Sequence, residues 1–369
     1  MTTKNDVAGG DEERSSLCCQ VGGKGSDTAG CLPLVDLPSG FFPGDEKAIS
    51  WKDLLLLAAL PALFAIAWSC SDSVCLRLAR SVTRLLHGLR PQRYWEFEQI
   101  IRDYLPDGSR KDLRDALVVE AAALMHLERF QLLRHHRPGG WCPEVSLAGK
   151  DHLERALAQG KGAILWVAFV AFSDMNAKIA MRQQGYGVWH VSRHIHGHLS
   201  STRFGIRVLN PIRIAVERRY LADRVVIDTA NPKAAVDRLE ELLADNQVVS
   251  VTIGPMARRI AKAPFGPGHI PLAGGAPNLA LRSGARLLPV FTERGPDGSF
   301  RVTIEPPLEP PVDGSREEKI ASMICGVSSL LYRYFERLPA QCLYPDIHHT
   351  GRRCQALTEA SPEADGSAN

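Results

Sequence analysis

Between Gly160 and Asp174 the chain reads Gly-Lys-Gly-Ala-Ile-Leu-Trp-Val-Ala-Phe-Val-Ala-Phe-Ser-Asp. The stretch Ala163–Phe169 is apolar and uncharged, and it follows a Gly-Lys-Gly turn, which is the pattern of a buried strand. A turn follows, and Asp174 then opens a helical pattern over Met175–Gln184. An acidic residue at that place satisfies free backbone N–H groups at a helix N-terminus. The junction between such a strand and its helix is a common place for an α/β protein to keep its chemistry.

The same alternation continues downstream. Strands are expected at Val188–Ser192, Val248–Ile253, Arg286–Phe291 and Phe300–Ile304. Helices are expected at Pro232–Asp245 and Ala276–Ser283, with a closing helix at Glu317–Arg337. Strands alternating with helices predict an α/β fold with a mostly parallel central sheet flanked by helices. Residues 96–136 show apolar positions at helical spacing and predict two long helices, ended by Pro138-Gly139-Gly140. The expected organisation is a disordered leader over 1–46, apolar and amphipathic helices over 47–137, the α/β domain over 138–351 and a disordered tail over 352–369.

From Leu54 to Cys70 no residue carries a charge, and Trp51 and Trp68 flank the run. A spanning helix needs about 20 such residues, so this N-terminal hydrophobic segment is marginal, and it holds Pro61. A basic amphipathic pattern follows at Arg77–Leu86. The pair favours a helix lying in or against a membrane over a core helix or a true span. A net charge of +3 is too mild to indicate a nucleic-acid partner. Arginines do concentrate at 213, 218, 219, 224, 258 and 259, which suits an anionic lipid, a phosphate or a solvated basic face. The nine cysteines show no paired spacing, which excludes a zinc ribbon or disulfide framework and predicts reduced thiols.

Four stretches together point to a family. They are Glu144–Leu153 leading into Gly160-Lys161-Gly162, then Ala263-Pro264-Phe265-Gly266, then Pro271–Ala285 running into Leu287–Phe291, and finally Gly295–Phe300 with Ile304–Leu308. In their order and spacing the chain resembles the lipid A lauroyl/myristoyl acyltransferases, within the lysophospholipid acyltransferase superfamily. The resemblance runs from about Trp51 to about Gly351. It implies transfer of a fatty acyl group from a thioester, on acyl carrier protein or CoA, to a hydroxyl or amine of a lipid or small-molecule acceptor. It implies a place at the cytoplasmic face of the bacterial inner membrane, peripheral or with one short hydrophobic segment. It implies no cofactor and no metal. In that family a histidine five residues ahead of a carboxylate is the base. Here the carboxylate falls on Asp174 and the histidine position holds Phe169. Phenylalanine accepts no proton, so the expected acceptor is not ordinary lipid A.

His190 and His194 follow on the next strand as substitute bases. His194, His196 and His198 alternate as metal ligands on a strand would, but with no Cys or acidic neighbour in sequence. Arg193, Arg258 and Arg259 are candidate anion contacts, and Gly274 and Gly275 open a helix able to receive an oxyanion. Phe169, Phe265 and Gly266 complete the candidate substrate-binding set, with core packing as the competing role for the aromatics. Two classes of function stay open. One is an acyltransferase with a rebuilt centre. The other is a non-catalytic relative that binds lipid or acyl-carrier ligands or regulates a partner enzyme. A serine hydrolase is disfavoured, because neither Ser173 nor Ser192 sits in a GxSxG elbow.

Overall fold

A computed structural model describes residues 34–36, 47–89, 92–193, 199–228, 231–254, 257 and 259–343. The expected leader, apart from 34–36, and the expected tail lie outside these residues, as do His194, His196, His198 and Arg258. The elements run β1 (Val35–Asp36), α1 (Trp51–Ser69), α2 (Asp72–Gly88), α3 (Gln92–Tyr104), α4 (Lys111–Arg134), β2 (Val145–Ala148), α5 (Lys150–Leu157) and β3 (Ala163–Val167). Then come α6 (Ser173–Gln183), β4 (Val188–Arg193), α7 (Arg203–Val208), α8 (Asn210–Glu217), β5 (Asp223–Ile227), α9 (Pro232–Ala244), β6 (Val248–Thr252), β7 (Arg259–Phe265) and β8 (Gly268–Ala273). The chain closes with α10 (Gly275–Ser283), β9 (Arg286–Arg294), β10 (Phe300–Ile304), α11 (Arg316–Arg337) and α12 (Pro339–Cys342).

β3 lies mid-sheet because every one of its five side chains is buried. It pairs in parallel with β6 on one side and β9 on the other. The seven strands of this sheet run in the order β2-β10-β9-β3-β6-β4-β5. All pairings are parallel except β9 with β10, which form the antiparallel hairpin around Gly295–Ser299. Gly162 makes the entry to β3 possible: it sits at φ +65°, and a Cβ there would lie 2.5 Å from the Gln247 carbonyl oxygen. That carbonyl instead accepts the Ala163 N–H at 3.2 Å, fixing β3 beside β6. A separate three-stranded sheet, β1-β7-β8, carries the Pro264-Phe265-Gly266 segment at its hairpin turn.

Two apolar layers sandwich the main sheet. On one face α6 packs Ala177, Ala180 and Met181 against Leu165, Val167 and Val188. On the other, α3, α4, α9, α10 and α11 share one cluster that includes Phe97, Val118, Leu239, Leu279 and Phe335 with Trp166 and Phe291. Each such fully buried side chain contributes about 1.5–3 kcal/mol. The N-terminal helices α3 and α4 are therefore built into the core of the α/β body.

α1 and α2 have fewer buried residues. Their inward sides meet α4 through Ala67, Cys75, Leu76 and Ala79 against Leu124, Leu127 and Phe130. α1 is long and apolar enough to cross a membrane by length and composition, and 11% of that span is buried. Both of its ends are fastened. At the N-terminus Ser50 and Asp53 form a capping box, and Asp53 also accepts from Ser200 Oγ (2.6 Å) and Thr202 Oγ1 (2.8 Å). At the C-terminus the Arg134 guanidinium donates to the carbonyls of Ala67 (2.6 Å) and Cys70 (2.7 Å) and pairs with Asp72.

Candidate functional site

The head of α6 is reached through Phe172, a non-glycine residue at φ +65° whose ring is buried against Phe300 at 5.0 Å. This tight turn brings Asp174 over the sheet face beside β4. β4 alternates strictly in burial, so Val188, His190 and Ser192 face α6 while Trp189 and Val191 face the other layer. His190 is directly in register with Ser250 of β6. Asp174, His190 and Ser250 thereby meet in the space between α6 and the sheet.

The geometry there is close. His190 Nε2 lies 3.9 Å from Asp174 Oδ1, and His190 Nδ1 is hydrogen-bonded to Ser250 Oγ at 2.9 Å. Asp174 Oδ1 also accepts from Lys178 Nζ at 2.8 Å, and Oδ2 accepts from the Arg213 guanidinium. Lys178 Nζ and Arg213 Nε both donate to Glu217 Oε1, at 3.2 and 2.9 Å. The side chains of Glu217 and Lys178 are 0% and 3% exposed, and those of Arg213 and Asp174 15% and 17%. Two carboxylates thus neutralise two cations out of water. Burial works against a charged guanidinium, yet Asp174 and Glu217 outweigh it and push the Arg213 pKa up. Glu128 of α4 adds a third carboxyl, its pKa raised by burial while Arg213 partly offsets this.

Asp174, Lys178, His190 and Ser250 line a cavity with Leu165, Val167 and Met181. Its volume is about 10 Å³, the lower bound for one water molecule. An imidazole with a hydroxyl on one nitrogen and a carboxylate facing the other can take a proton and be steadied as imidazolium. Asp174 shares its charge with Lys178 and Arg213 as well, which weakens what it offers His190.

Of the residues singled out in sequence, Asp174 and His190 come together here. Arg193 is the last residue of β4, and burial lowers its pKa. Phe169 lies in the loop between β3 and α6. Phe265 packs in an aromatic cluster with Tyr104, Tyr332 and Phe335. Gly266 is required by its positive φ and by Tyr332, whose ring would lie 2.2 Å from a Cβ. Gly274 caps α10 and Gly275 begins it, while Arg259 is exposed and paired with Glu317 at 2.7 Å. Among the basic middle residues, Arg219 donates to the His135 carbonyl and Arg224 to Ser192 Oγ. The described cysteines form no disulfide.

Lys178, Glu217 and Ser250 were not apparent as site residues from sequence. Asp174/Lys178 and Arg213/Glu217 are both pairs four residues apart on a helix, the one local signal that could have found them. No protein-family model matches this chain, and no curated protein does. A second cluster, His87, Glu98 and Asp115, offers three ligand atoms within 4.8 Å of one another. His87 Nε2 already shares a hydrogen bond with Glu98 at 3.1 Å, and Arg80 and Arg84 line the same groove, which disfavours a cation.

Proposed function

We propose that this protein is an acyltransferase. It moves a fatty acyl group from an acyl thioester, on acyl carrier protein or CoA, to a hydroxyl or amine of a lipid or small-molecule acceptor other than ordinary lipid A. It works as a peripheral protein at the cytoplasmic face of the bacterial inner membrane. The observation that supports this reading is the approach of His190 to Asp174, 3.9 Å apart, with Asp174 just after the β3–α6 loop in which Phe169 stands in place of a histidine. In this mechanism the acceptor displaces Ser250 Oγ from His190 Nδ1, which takes the acceptor proton and passes it to the departing thiolate, while Asp174, facing Nε2, steadies the imidazolium. The thioester is already activated, so orientation supplies much of the remaining rate. His190 is 2% exposed and the cavity is about 10 Å³, so turnover requires the site to open to the acceptor.

A second reading has its own support. Asp174 is bound by Lys178 and Arg213, an arrangement that suits a structural ion network in a non-catalytic relative that binds acyl-carrier or lipid ligands. Purified protein with acyl-carrier and acyl-CoA thioesters and a panel of lipid and amine acceptors separates the two, with products read by mass spectrometry. His190→Ala is expected to lower turnover by roughly 10²–10⁴-fold. Turnover untouched by both His190→Ala and Asp174→Ala refutes the proposed base. Thioester binding without any acyl product supports the non-catalytic reading.

A further inference from the structure

Among the described residues, fifteen large hydrophobic side chains are exposed, and twelve of them fall between Ile49 and Trp95. They are not scattered. On α1 the residues Trp51, Leu54, Leu55, Ala58, Ala62 and Ala65 are exposed at spacings of one, three and four, which draws one apolar stripe along the helix. On α2 a second stripe passes through Val74, Leu78, Val82 and Leu85 to Leu89 just past its end, flanking the side that packs on α4. The exposed charged residues of these two helices are Lys52, Arg77 and Arg84, all basic. An apolar face of this extent on a body with its own core needs an occupant, and a basic fringe selects an anionic lipid surface.

The fastenings of α1 decide how that surface is engaged. Nineteen residues make a helix about 28 Å long, close to the hydrocarbon thickness of a bilayer. A span therefore puts its two ends on opposite sides of the membrane. Here the N-terminal end is held to the segment before and within α7: Asp53 by Ser200 and Thr202, and the Lys47 and Ala48 carbonyls by the N–H groups of Arg203 and Phe204 at 3.0 Å. The C-terminal end is held to α4, by Arg134 and by Trp68 Nε1 donating to the Leu133 carbonyl at 3.1 Å. Both attachments belong to one body. Crossing would break one of them and strand either the Asp53 carboxylate or the Arg134 guanidinium, both buried.

We infer that α1 is an in-plane anchor: it lies along one leaflet of an anionic membrane with its apolar stripe immersed, beside α2, and both of its ends stay on the side that carries the α/β body. This rests on the peripheral-membrane part of the proposed function and is independent of its chemistry.

Two measurements on the full chain test it. The first is co-sedimentation with vesicles of phosphatidylcholine, with and without phosphatidylglycerol. Binding is expected to strengthen with phosphatidylglycerol and to fall by roughly tenfold or more for each of Leu55→Glu and Leu85→Glu, with unchanged melting temperature because both side chains are exposed. No binding to either vesicle, with a dimer in lipid-free gel filtration that Leu55→Glu dissolves, assigns the face to a second copy and overturns the membrane reading. The second carries one epitope ahead of Lys47 and one at the C-terminus, probed by protease on spheroplasts and on inverted membrane vesicles. Both epitopes are expected to survive in spheroplasts and to be cut in inverted vesicles. Vesicle binding together with epitopes on opposite sides overturns the in-plane anchor while leaving the membrane reading intact.

Discussion

Replacing Glu217 by glutamine is the most informative single perturbation of the site. The side chain is fully buried and accepts from Lys178 Nζ and Arg213 Nε. Glutamine keeps the shape and one acceptor oxygen but removes the charge. Lys178 and Arg213 then keep Asp174 as their charged hydrogen-bond partner. Removing one partner of a buried pair costs about 3–5 kcal/mol, and the retained oxygen places Glu217→Gln near the lower bound. For a chain of 369 residues about 3 kcal/mol lowers the melting temperature by roughly 4–5 °C. The assay is thermal and urea unfolding followed by circular dichroism. Adding Lys178→Met to the same chain removes the orphaned cation and restores charge balance. The pair should therefore be coupled, with the double variant more stable than the sum of the singles by about 1–3 kcal/mol. A single-variant loss under about 1 kcal/mol, together with strict additivity, would show that these charges are solvated and that the network is not a buried unit.

Two further predictions concern pH. Burial favours the neutral Asp53 carboxyl, but the hydroxyls of Ser200 and Thr202 and the Ser50 N–H outweigh it and hold its pKa at about 2, below the ordinary 3.8. A depressed carboxyl contributes stability that is complete above its ordinary value and lost as pH falls through the folded one. Urea melts of wild type and Asp53→Asn should therefore differ at neutral pH and converge between about pH 4 and 2; a constant gap would refute the assignment. His135 is 2% exposed, and its ring packs against Trp141 and Tyr220. Burial, with Arg219 nearby, pushes its pKa from 6.5 down to about 4. The unfolded chain then binds the proton more readily, so stability is full above about 6.5 and declines as pH falls toward 4. His135→Phe should flatten that part of the wild-type profile, and an unchanged slope would assign it to other groups.

The layered fold was readable where apolar pattern and turn residues agreed. Phe300–Ile304 forms with the bounds its pattern predicts, and the helix and strand starting at Pro232 and Val248 each end one residue earlier than expected. The strand expected to reach Phe169 leaves the sheet after Val167, because Ala168 to Phe172 stay apolar for packing while the backbone turns. β7 and β8 were missed as a hairpin because Arg259, Lys262, Pro264 and Pro271 break the alternation a strand pair shows. Among the candidate site residues, Asp174 and His190 were legible, since each stands next to an apolar run. Lys178, Arg213 and Glu217 look in sequence like solvated helix residues. What buries them is the docking of α6 and α8 against each other, a tertiary fact with no local signature.

The turn at Phe172 bears on how this chain can change over generations. Its left-handed backbone costs on the order of 1–3 kcal/mol for a residue with a side chain, so glycine would relax it. Glycine would also empty a ring-sized space between α4 and β10, at about 3–5 kcal/mol or more. A polar residue meets both penalties at once. Substitutions are thus unfavourable in every direction at the entrance to α6, and drift will accumulate on the faces of α5 and α9 long before it reaches this position. A random-substitution library selected only for folded protein should leave Phe172 as one of its few fixed points among neighbours that vary.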